Sequence, residues 1–258
     1  MISKLAILIP VYNEGDSLLH TLESIKEDRN DFTVFIVDDG STEPISINTS
    51  KFPFDIRILR LDANKGIVSA LNYGLYTIIE SNSYELVARL DCGDSNVKNR
   101  FKTQLSVFSN PKINLVGSNV LFFDKDNNYQ FNTNVPIEHE NILRYKWKKT
   151  CFIHPTVMFR LSVIDQIGFY PDRYRHIEDL VYFHKMSQIG RSINISDSLV
   201  ECEIRKSGIS HLNRKEQLSN GLRYRFDNPD YFDLYWYLSI LKNLLSRFLS
   251  RRIIDKLK

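Results

Sequence analysis

The sequence predicts an α/β protein: a mostly parallel central sheet flanked by helices, with a helical extension at the C-terminal end. Two observations carry that expectation. Apolar runs of strand length alternate four times, within about a hundred residues, with segments whose apolar side chains recur at helical spacing. That is the rhythm of a parallel sheet with right-handed crossovers. Two acidic turns, Asp38-Asp39-Gly40-Ser41 and Asp91-Cys92-Gly93-Asp94, each close such a run. Carboxylates there cannot sit in a core unpaired, and the carboxyl ends of strands in an open α/β sheet are where ligands bind.

The elements follow in order. Residues 5–10 form the first strand, which Pro10 ends because proline cannot donate to a ladder. Leu18, Leu19, Leu22 and Ile25 recur at helical spacing and predict a helix over 16–26. Residues 32–37 and 56–61 read as strands, and Ile67, Leu71, Leu75 and Ile78 place a helix over 67–80. Residues 86–90, mostly apolar and bounded by turn residues, form the buried strand that delivers Asp91. The next helix spans 97–108 and stops at Asn110-Pro111; on the blandest view the aspartates of the preceding turn only cap it. Beyond it the rhythm loosens. Strands are expected at 113–117, 120–123, 156–160, 193–195 and 199–204, with a turn at 124–128. Helices are expected at 136–147, 162–167, 179–189 and 212–225, and a last one from about Tyr231.

Of 258 residues, 43% are hydrophobic and 25% charged, enough for a full core and ordinary for a soluble chain. A net charge of +3 is too mild to point to nucleic acid, and bases outside the tail are balanced by acids. Cys92, Cys151 and Cys202 are odd in number and far apart, which fits neither a zinc site nor a disulfide framework and points to a reducing, cytoplasmic setting. The first apolar run is too short for a signal peptide, and no apolar stretch is long enough to predict a transmembrane helix.

Several motifs carry a family resemblance. Ile9-Pro10-Val11-Tyr12-Asn13-Glu14, Val37-Asp38-Asp39-Gly40-Ser41, Asn64-Lys65-Gly66 and the run Arg89-Leu90-Asp91-Cys92-Gly93-Asp94, with Arg100 and Gln104, resemble the donor half of the inverting family 2 glycosyltransferases of GT-A fold. His154-Pro155-Thr156-Val157-Met158-Phe159-Arg160, Gly168-Phe169-Tyr170 and Glu178-Asp179-Leu180 resemble the acceptor half. One such motif is weak; this many in the right order, over residues 5–210, are strong. The resemblance implies a Rossmann-like GT-A domain over 1–225, its nucleotide-sugar half ending near 110, and an extension over 226–258. It implies transfer of a sugar from a nucleoside-diphosphate sugar, UDP-linked, to a lipid-linked saccharide in O-antigen, lipopolysaccharide or capsule biosynthesis.

The residue types suit that chemistry. A carboxylate at Asp38 or Asp39 can accept from a uracil imide or a ribose hydroxyl. Pro10 and Tyr12 can flank the base, with Glu14 in the same loop, and Arg89 leads the motif in which Asp91 can hold ribose or a metal. Lys65 reaches the diphosphate or sits in solvent. Arg205, with Ser210, resembles a late family motif near the diphosphate, and arginine suits bidentate phosphate contact. A divalent cation, Mg²⁺ or Mn²⁺, is implied by the resemblance; it would bridge carboxylate and diphosphate oxygens as the leaving group gains charge. The family's second metal-binding aspartate falls at Gly93, which leaves Asp91 and Asp94 as the candidate ligands. Either Gly93 lets the turn bend so that Asp94 reaches the ion, or metal dependence is weak.

Inversion by direct displacement needs a base for the acceptor hydroxyl. Asp179 matches the family's base position, with Glu178 the second candidate; either can instead be a helix cap. His154 touches the acceptor or a phosphate, or is a satisfied structural residue. Arg100 and Gln104, one helical turn apart, are expected to brace the acidic turn.

In the extension, Leu234, Tyr237, Leu238, Leu241, Leu244, Leu245 and Phe248 share one helical face, and Ser239, Asn243, Ser246 and Ser250 the other. Lys242, Arg247, Arg251, Arg252, Lys256 and Lys258 stand against Asp255 alone. An amphipathic basic helix with aromatics is expected to lie on the anionic inner leaflet of the cytoplasmic membrane, making the protein peripheral. The alternative is an ordinary terminal helix packed on the core. Two other functions stay open. A sugar nucleotidyltransferase would need a glycine-rich phosphate loop after the first strand, which the Pro10 to Glu14 stretch is not. A non-catalytic nucleotide-sugar-binding paralogue would explain Gly93 as lost metal binding.

Overall fold

Alternation decides the layering. In β1 (Leu5–Val11), Leu5, Ile7, Ile9 and Val11 point to one face of the sheet and Ala6 and Leu8 to the other, and all are buried. A strand buried on both faces belongs between two helical layers. α1 (Gly15–Ser24) and α3 (Arg100–Val107) cover the first face through Leu18, Leu22 and Phe101. α2 (Ile67–Glu80) and α6 (Glu178–Ile189) cover the second through Leu71, Leu75, Tyr182 and Met186. This computed structural model describes residues 4–124, 126–204 and 213–248.

β2 (Phe32–Asp38) and β4 (Leu86–Arg89) pair in parallel on either side of β1, and β3 (Asp55–Arg60) pairs in parallel with β2. Chain order therefore reverses at β1, and a crevice opens beyond the carboxyl ends of β1, β2 and β4. Pro10 does not end β1, contrary to the sequence expectation; the strand runs on to Val11. The Val11 carbonyl accepts from Asp39 and the Leu8 carbonyl from Leu90, so odd positions bond toward β2 and even positions toward β4. Pro10 faces the β4 side, two residues past the last pair there, Leu8 with Arg89, where no donor is required.

The helix expected over 97–108 starts later. Ser95–Asn96 is a short strand, β5, paired with β9 (Arg191–Glu203), and α3 begins at Arg100 after a left-handed Asn99. The aspartates of the preceding turn therefore do not cap it. Past β4 the sheet mixes directions, in the order β3-β2-β1-β4-β8-β6-β9-β5. β8 (Met158–Arg160) is antiparallel to β4, and β6 (Ile113–Asp124) is antiparallel to β8 but parallel to β9. The two strands expected over 113–123 are one, β6, and the two expected over 193–204 are one, β9; their mutual register shifts around Ser118–Val120. A bulge interrupts the apolar alternation without ending a strand, so the pattern alone splits it. β7 (Tyr129–Asn132), which the sequence does not predict, hairpins onto β6 with all four residues exposed.

The remaining helices among the described residues are α4 (His139–Tyr145), α5 (Ile164–Ile167), α7 (Arg214–Asp227) and α8 (Leu234–Phe248). A separate apolar cluster of Trp147, Tyr174, Ile177, Val181, Tyr224 and Trp236 ties α6, α7 and α8 together.

The turn after β2 is sterically exacting. Gly40 sits at φ +68, and a Cβ on it would lie 2.3 Å from the Ala63 carbonyl carbon. Both the left-handed backbone and the clash act against any side chain. Gly40→Ala is expected to lower stability by about 2–4 kcal/mol, seen as a lower urea midpoint with an unchanged slope.

Candidate active site

The crevice is walled by the loops that leave β1, β2, β3 and β4. Asp38 is fully buried at the end of β2. Its carboxylate accepts from the amides of Ser41 (2.8 Å) and Ile45 (3.3 Å) and pairs with the Arg60 guanidinium on β3. Burial opposes its charge, but those hydrogen bonds and Arg60 outweigh it and hold the carboxyl below its usual range. Asp38 thus fixes the wall of the crevice with its carboxylate turned inward. Asp39 accepts from the amides of Lys65 (2.8 Å) and Gly66 (2.9 Å), joining the β2 turn to the loop that opens α2. Each Asp39 oxygen spends one lone pair in this way, and the others stay available to a ligand.

The β1 loop is fastened to the same turn. Asn13, at φ 53, donates its amide to Ser41 Oγ (2.9 Å) and accepts from the Thr42 amide (2.8 Å). Asparagine tolerates this left-handed conformation better than most residues. Tyr12 beside it is 43% exposed, Pro10 is half-buried, and Glu14 and Lys65 are exposed at the rim.

Beneath the crevice lies a buried cation. The Arg89 side chain is fully enclosed. Nη1 donates to the Leu8 and Leu90 carbonyls, Nη2 to Asp91 (2.5 Å) and Nε to His154 Nε2 (3.3 Å). Because an arginine Nε only donates, that histidine nitrogen is an acceptor, and the Tyr170 hydroxyl at 3.0 Å donates to it as well. Burial, helped by the Arg89 charge, lowers the His154 pKa to about 3, so the ring is neutral at physiological pH. The Tyr170 ring lies 4.0 Å from that of Tyr182. Asn72 on α2 clasps the Tyr170 backbone, donating to its carbonyl (3.0 Å) and accepting its amide (2.9 Å). Arg100 and Gln104 bond to each other and reach the backbone behind the turn, not the turn itself: Arg100 donates to the Arg89 carbonyl (2.8 Å) and Gln104 to that of Thr156 (2.8 Å). Asn72 and Tyr170 are absent from the site residues drawn from sequence; the available signal was a polar Asn72 beside Leu71 on a helix that is otherwise apolar there.

The acidic turn bends at Gly93, with φ +93, and the Gly93 amide donates to Thr21 Oγ1 (2.8 Å). The bend brings the Asp94 carboxylate near Cys202 on β9. Burial and the neighbouring carboxylates push that thiol's pKa up, so it stays a donor. Asp91 keeps about a third of its side chain exposed. Among the described residues no three His, Cys, Asp or Glu side chains gather as metal ligands. This donor set fits a hard cation arriving on a diphosphate, because Mg²⁺ in such sites takes only one or two protein carboxylates besides phosphate oxygens and water. Asp91, partly exposed, can supply one; Asp94 lies by Cys202 on β9.

At the start of α6, Glu178 and Asp179 face different spaces, as a step of about 100° around the helix requires. Asp179 Oδ1 accepts from the Leu180 amide (2.7 Å), and the side chain opens onto a cavity of about 130 Å³ lined also by Lys149, Phe152, Phe183 and His184. Protein surrounds it on nearly every side although it keeps a partial opening. Burial first, and then the Glu178 and Asp91 charges, raise its pKa to about 7. Glu178 lines a cleft of about 760 Å³ with Asn64, Lys65, Asp172 and Arg175, and its Oε2 is buried without a hydrogen-bond partner. Burial raises its pKa too. Arg205 and Ser210 lie outside the described residues.

Of the residues drawn from sequence, Arg89, Asp91 and His154 therefore come together, with Asp179 close enough to feel the Asp91 charge and Glu178 on a separate cleft. Asp38→Ala is expected to cost about 3 kcal/mol, because it leaves two amides and Arg60 without their acceptor. Asp91→Asn, which keeps an acceptor for Arg89, should cost much less. Urea unfolding of the two variants checks the contrast.

The chain is 26% identical over 204 residues to the amylovoran biosynthesis glycosyltransferase AmsE of Erwinia amylovora, spanning 76% of this chain and 74% of that protein. It is 23% identical over 257 residues to the Escherichia coli UDP-Gal:alpha-D-GlcNAc-diphosphoundecaprenol beta-1,3-galactosyltransferase, spanning 96% and 91%. Its backbone matches S. aureus TarS 1-349 in complex with UDP-GlcNAc at a TM-score of 0.68 and 18% identity, over 93% of this chain and 71% of that one, a likeness that carries the GT-A fold. Residues 6–168, well over half of the chain, match glycosyl transferase family 2, and with that sheet and crevice the protein belongs to this family of glycosyltransferases.

Proposed function

We propose that the protein transfers one sugar from a UDP-linked donor to a lipid-linked saccharide in surface-polysaccharide biosynthesis, O-antigen or capsule, with inversion at the anomeric carbon. The observation that carries this reading is Asp179: a carboxyl poised near neutrality on a cavity wall, within electrostatic reach of Asp91 in the donor crevice. A general base works best with a pKa near the operating pH. The names of two relatives support the rest: one acts on a diphosphoundecaprenol-linked sugar with UDP-Gal, and the other works in amylovoran biosynthesis.

The nucleotide lies in the crevice with its base by Tyr12 and Pro10, and the β1 and β2 loops, locked together through Asn13 and Ser41, need no reordering to receive it. Arg89 holds Asp91 toward the diphosphate, and Lys65 adds a cation at the rim. Asp91 would hold a Mg²⁺ or Mn²⁺ ion brought in on the diphosphate, whose chemistry is to neutralise the leaving group's charge. The acceptor oxygen attacks the anomeric carbon opposite the diphosphate. Asp179 takes the hydroxyl proton as the new bond forms, and the old carbon–oxygen pair leaves with the nucleoside diphosphate. His154, neutral and fixed by Arg89 and Tyr170, lines the acceptor side without competing for that proton. Among the described residues no helix is long and apolar enough to cross a membrane; a lipid-linked acceptor would be met at the cytoplasmic membrane face, with the protein bound peripherally.

Asp179→Asn should keep donor affinity and lower turnover by roughly two to four orders of magnitude, while Glu178→Gln does less. Wild-type kcat/KM should rise with pH through about 7, where Asp179 loses its proton, and the Asn variant should lack that limb. The sign for stability is opposite. A carboxyl whose folded pKa is raised stabilises the fold while protonated, and that contribution is lost as pH rises from the unfolded value toward about 7. Asp179→Asn should therefore melt higher than wild type at pH 8. Proton NMR of the product linkage should show inverted configuration; retention would sink direct displacement.

The cation has its own test. UDP should raise the thermal midpoint, and Mn²⁺ should raise it further. Asp91→Ala should remove the Mn²⁺ increment and Asp94→Ala should leave it. The opposite pattern would assign the ion to Asp94.

A further inference from the structure

The amphipathic stripe of α8 faces outward. Leu234, Tyr237, Leu238, Leu241, Leu244 and Leu245 are between 41% and 69% exposed. The inner face is the more polar one. Ser239 and Asn243 are buried with Trp236; Arg225 on α7 donates to Ser239 Oγ (2.6 Å), and the Trp236 indole donates to the Arg225 carbonyl (3.1 Å). Just ahead of the helix, Tyr231 is 66% exposed and Phe232 wholly so. Contiguous apolar surface of this kind marks an interaction site.

The charge around the stripe says what covers it. Lys148, which is exposed, stacks its ammonium 5.0 Å from the Tyr235 ring on α8, and Tyr235 in turn meets Tyr145 at 5.9 Å. Lys149 is exposed beside them, and Lys242 projects from the helix itself. The sequence continues with Arg247, Arg251, Arg252, Lys256 and Lys258 against Asp255 alone. Leucines on one face, tyrosines and a phenylalanine at its border and lysines around them match the strata of a bilayer interface carrying anionic headgroups.

We propose that the outer face of α8 docks on an anionic lipid bilayer. The docking face and the acceptor cavity are joined: Lys149 both lines the Asp179 cavity and lies 5.8 Å from the Tyr145 ring. Trp236 on the inner face of α8 packs in one cluster with Ile177 and Val181, which flank Asp179 in the chain. A lipid-borne saccharide would thus enter beside the docked helix. This purpose rests on the proposed lipid-linked acceptor; the docking itself does not.

Flotation of the full chain with lipid vesicles tests it. The wild type should partition onto phosphatidylglycerol-containing vesicles at least about tenfold better than onto pure phosphatidylcholine, and L241E/L245E should lose at least about tenfold of that binding. Both leucines are exposed, so the double variant should keep the wild-type melting midpoint and its shift with UDP. No flotation, equal flotation on neutral vesicles, or flotation indifferent to the double substitution overturns the proposal. So does a dimer that L241E/L245E dissociates without any vesicle binding, which would give the face to a second copy of the chain. A missing UDP shift alongside normal flotation would count against the donor reading and not against docking.

Discussion

The buried guanidinium of Arg89 sets the terms for everything around the crevice. A cation with no exposed surface must be both paired and hydrogen-bonded, or the fold loses several kcal/mol. Arg89 meets that demand with two carbonyls at the β1–β4 junction, one carboxylate and one imidazole. Each partner is thereby constrained. The Leu8 carbonyl is shared between Arg89 and the Leu90 amide, so β1 and β4 stay in register up to the crevice. Asp91 is held at the mouth, and His154 is forced into the neutral tautomer that accepts at Nε2. Lysine, with a point charge in place of a fork, could not reach all four partners.

The same economy explains why two acidic turns of like appearance do different work. Asp38 is consumed by backbone amides and by Arg60, and Asp39 ties the β2 turn to the α2 loop while keeping lone pairs free, so together they hold the loops of the crevice in place. Asp91 shares one oxygen with Arg89 and retains exposure. Asp179 is different again, enclosed and lacking a cationic partner of its own, which is why its pKa rises instead of falling. Three carboxylate environments along one chain thus differ in what they leave free: none at Asp38, a partly exposed oxygen pair at Asp91, and a carboxyl held near neutrality at Asp179.

How much of this could be read from the chain alone follows from how local each cause is. The parallel half was legible because β1, β2 and β4 bury both faces, the edge strand β3 still alternates from Asp55 to Ile58, and each helix shows its stripe, so β1 to β4 and α2 fall where the apolar runs place them. Arg89, Asp91, His154 and Asp179 were legible as types of residue at strand and helix ends. What stayed hidden was decided by partners far along the chain. Arg60 closes off Asp38; Cys202 on β9 comes beside Asp94; Asn72 holds Tyr170 across almost a hundred residues of sequence. The bulged strands β6 and β9 misled for a related reason, since a register shift breaks alternation that only the neighbouring strand can restore.

Helix α8 shows the limit of periodicity most clearly. Periodicity divides its surface correctly into an apolar and a polar half, but it cannot tell which half faces the protein. Burying a leucine-sized side chain is worth about 1.5–3 kcal/mol, so a stripe of six left in water forgoes something on the order of 10 kcal/mol, as much as the whole net stability of a typical domain. Packing alone would turn the helix over. What holds it as it stands is specific: Trp236 sits in the aromatic cluster, Arg225 reaches Ser239, and Gly221 makes room for Asn243, where a Cβ would come within 2.9 Å of the amide nitrogen. Those contacts would be lost on rotation, and the bulkier leucines would meet a surface shaped for serine and asparagine. The inner face is thus complementary to small polar side chains and the outer face to an apolar partner. Each face has its partner only when the outer one is covered.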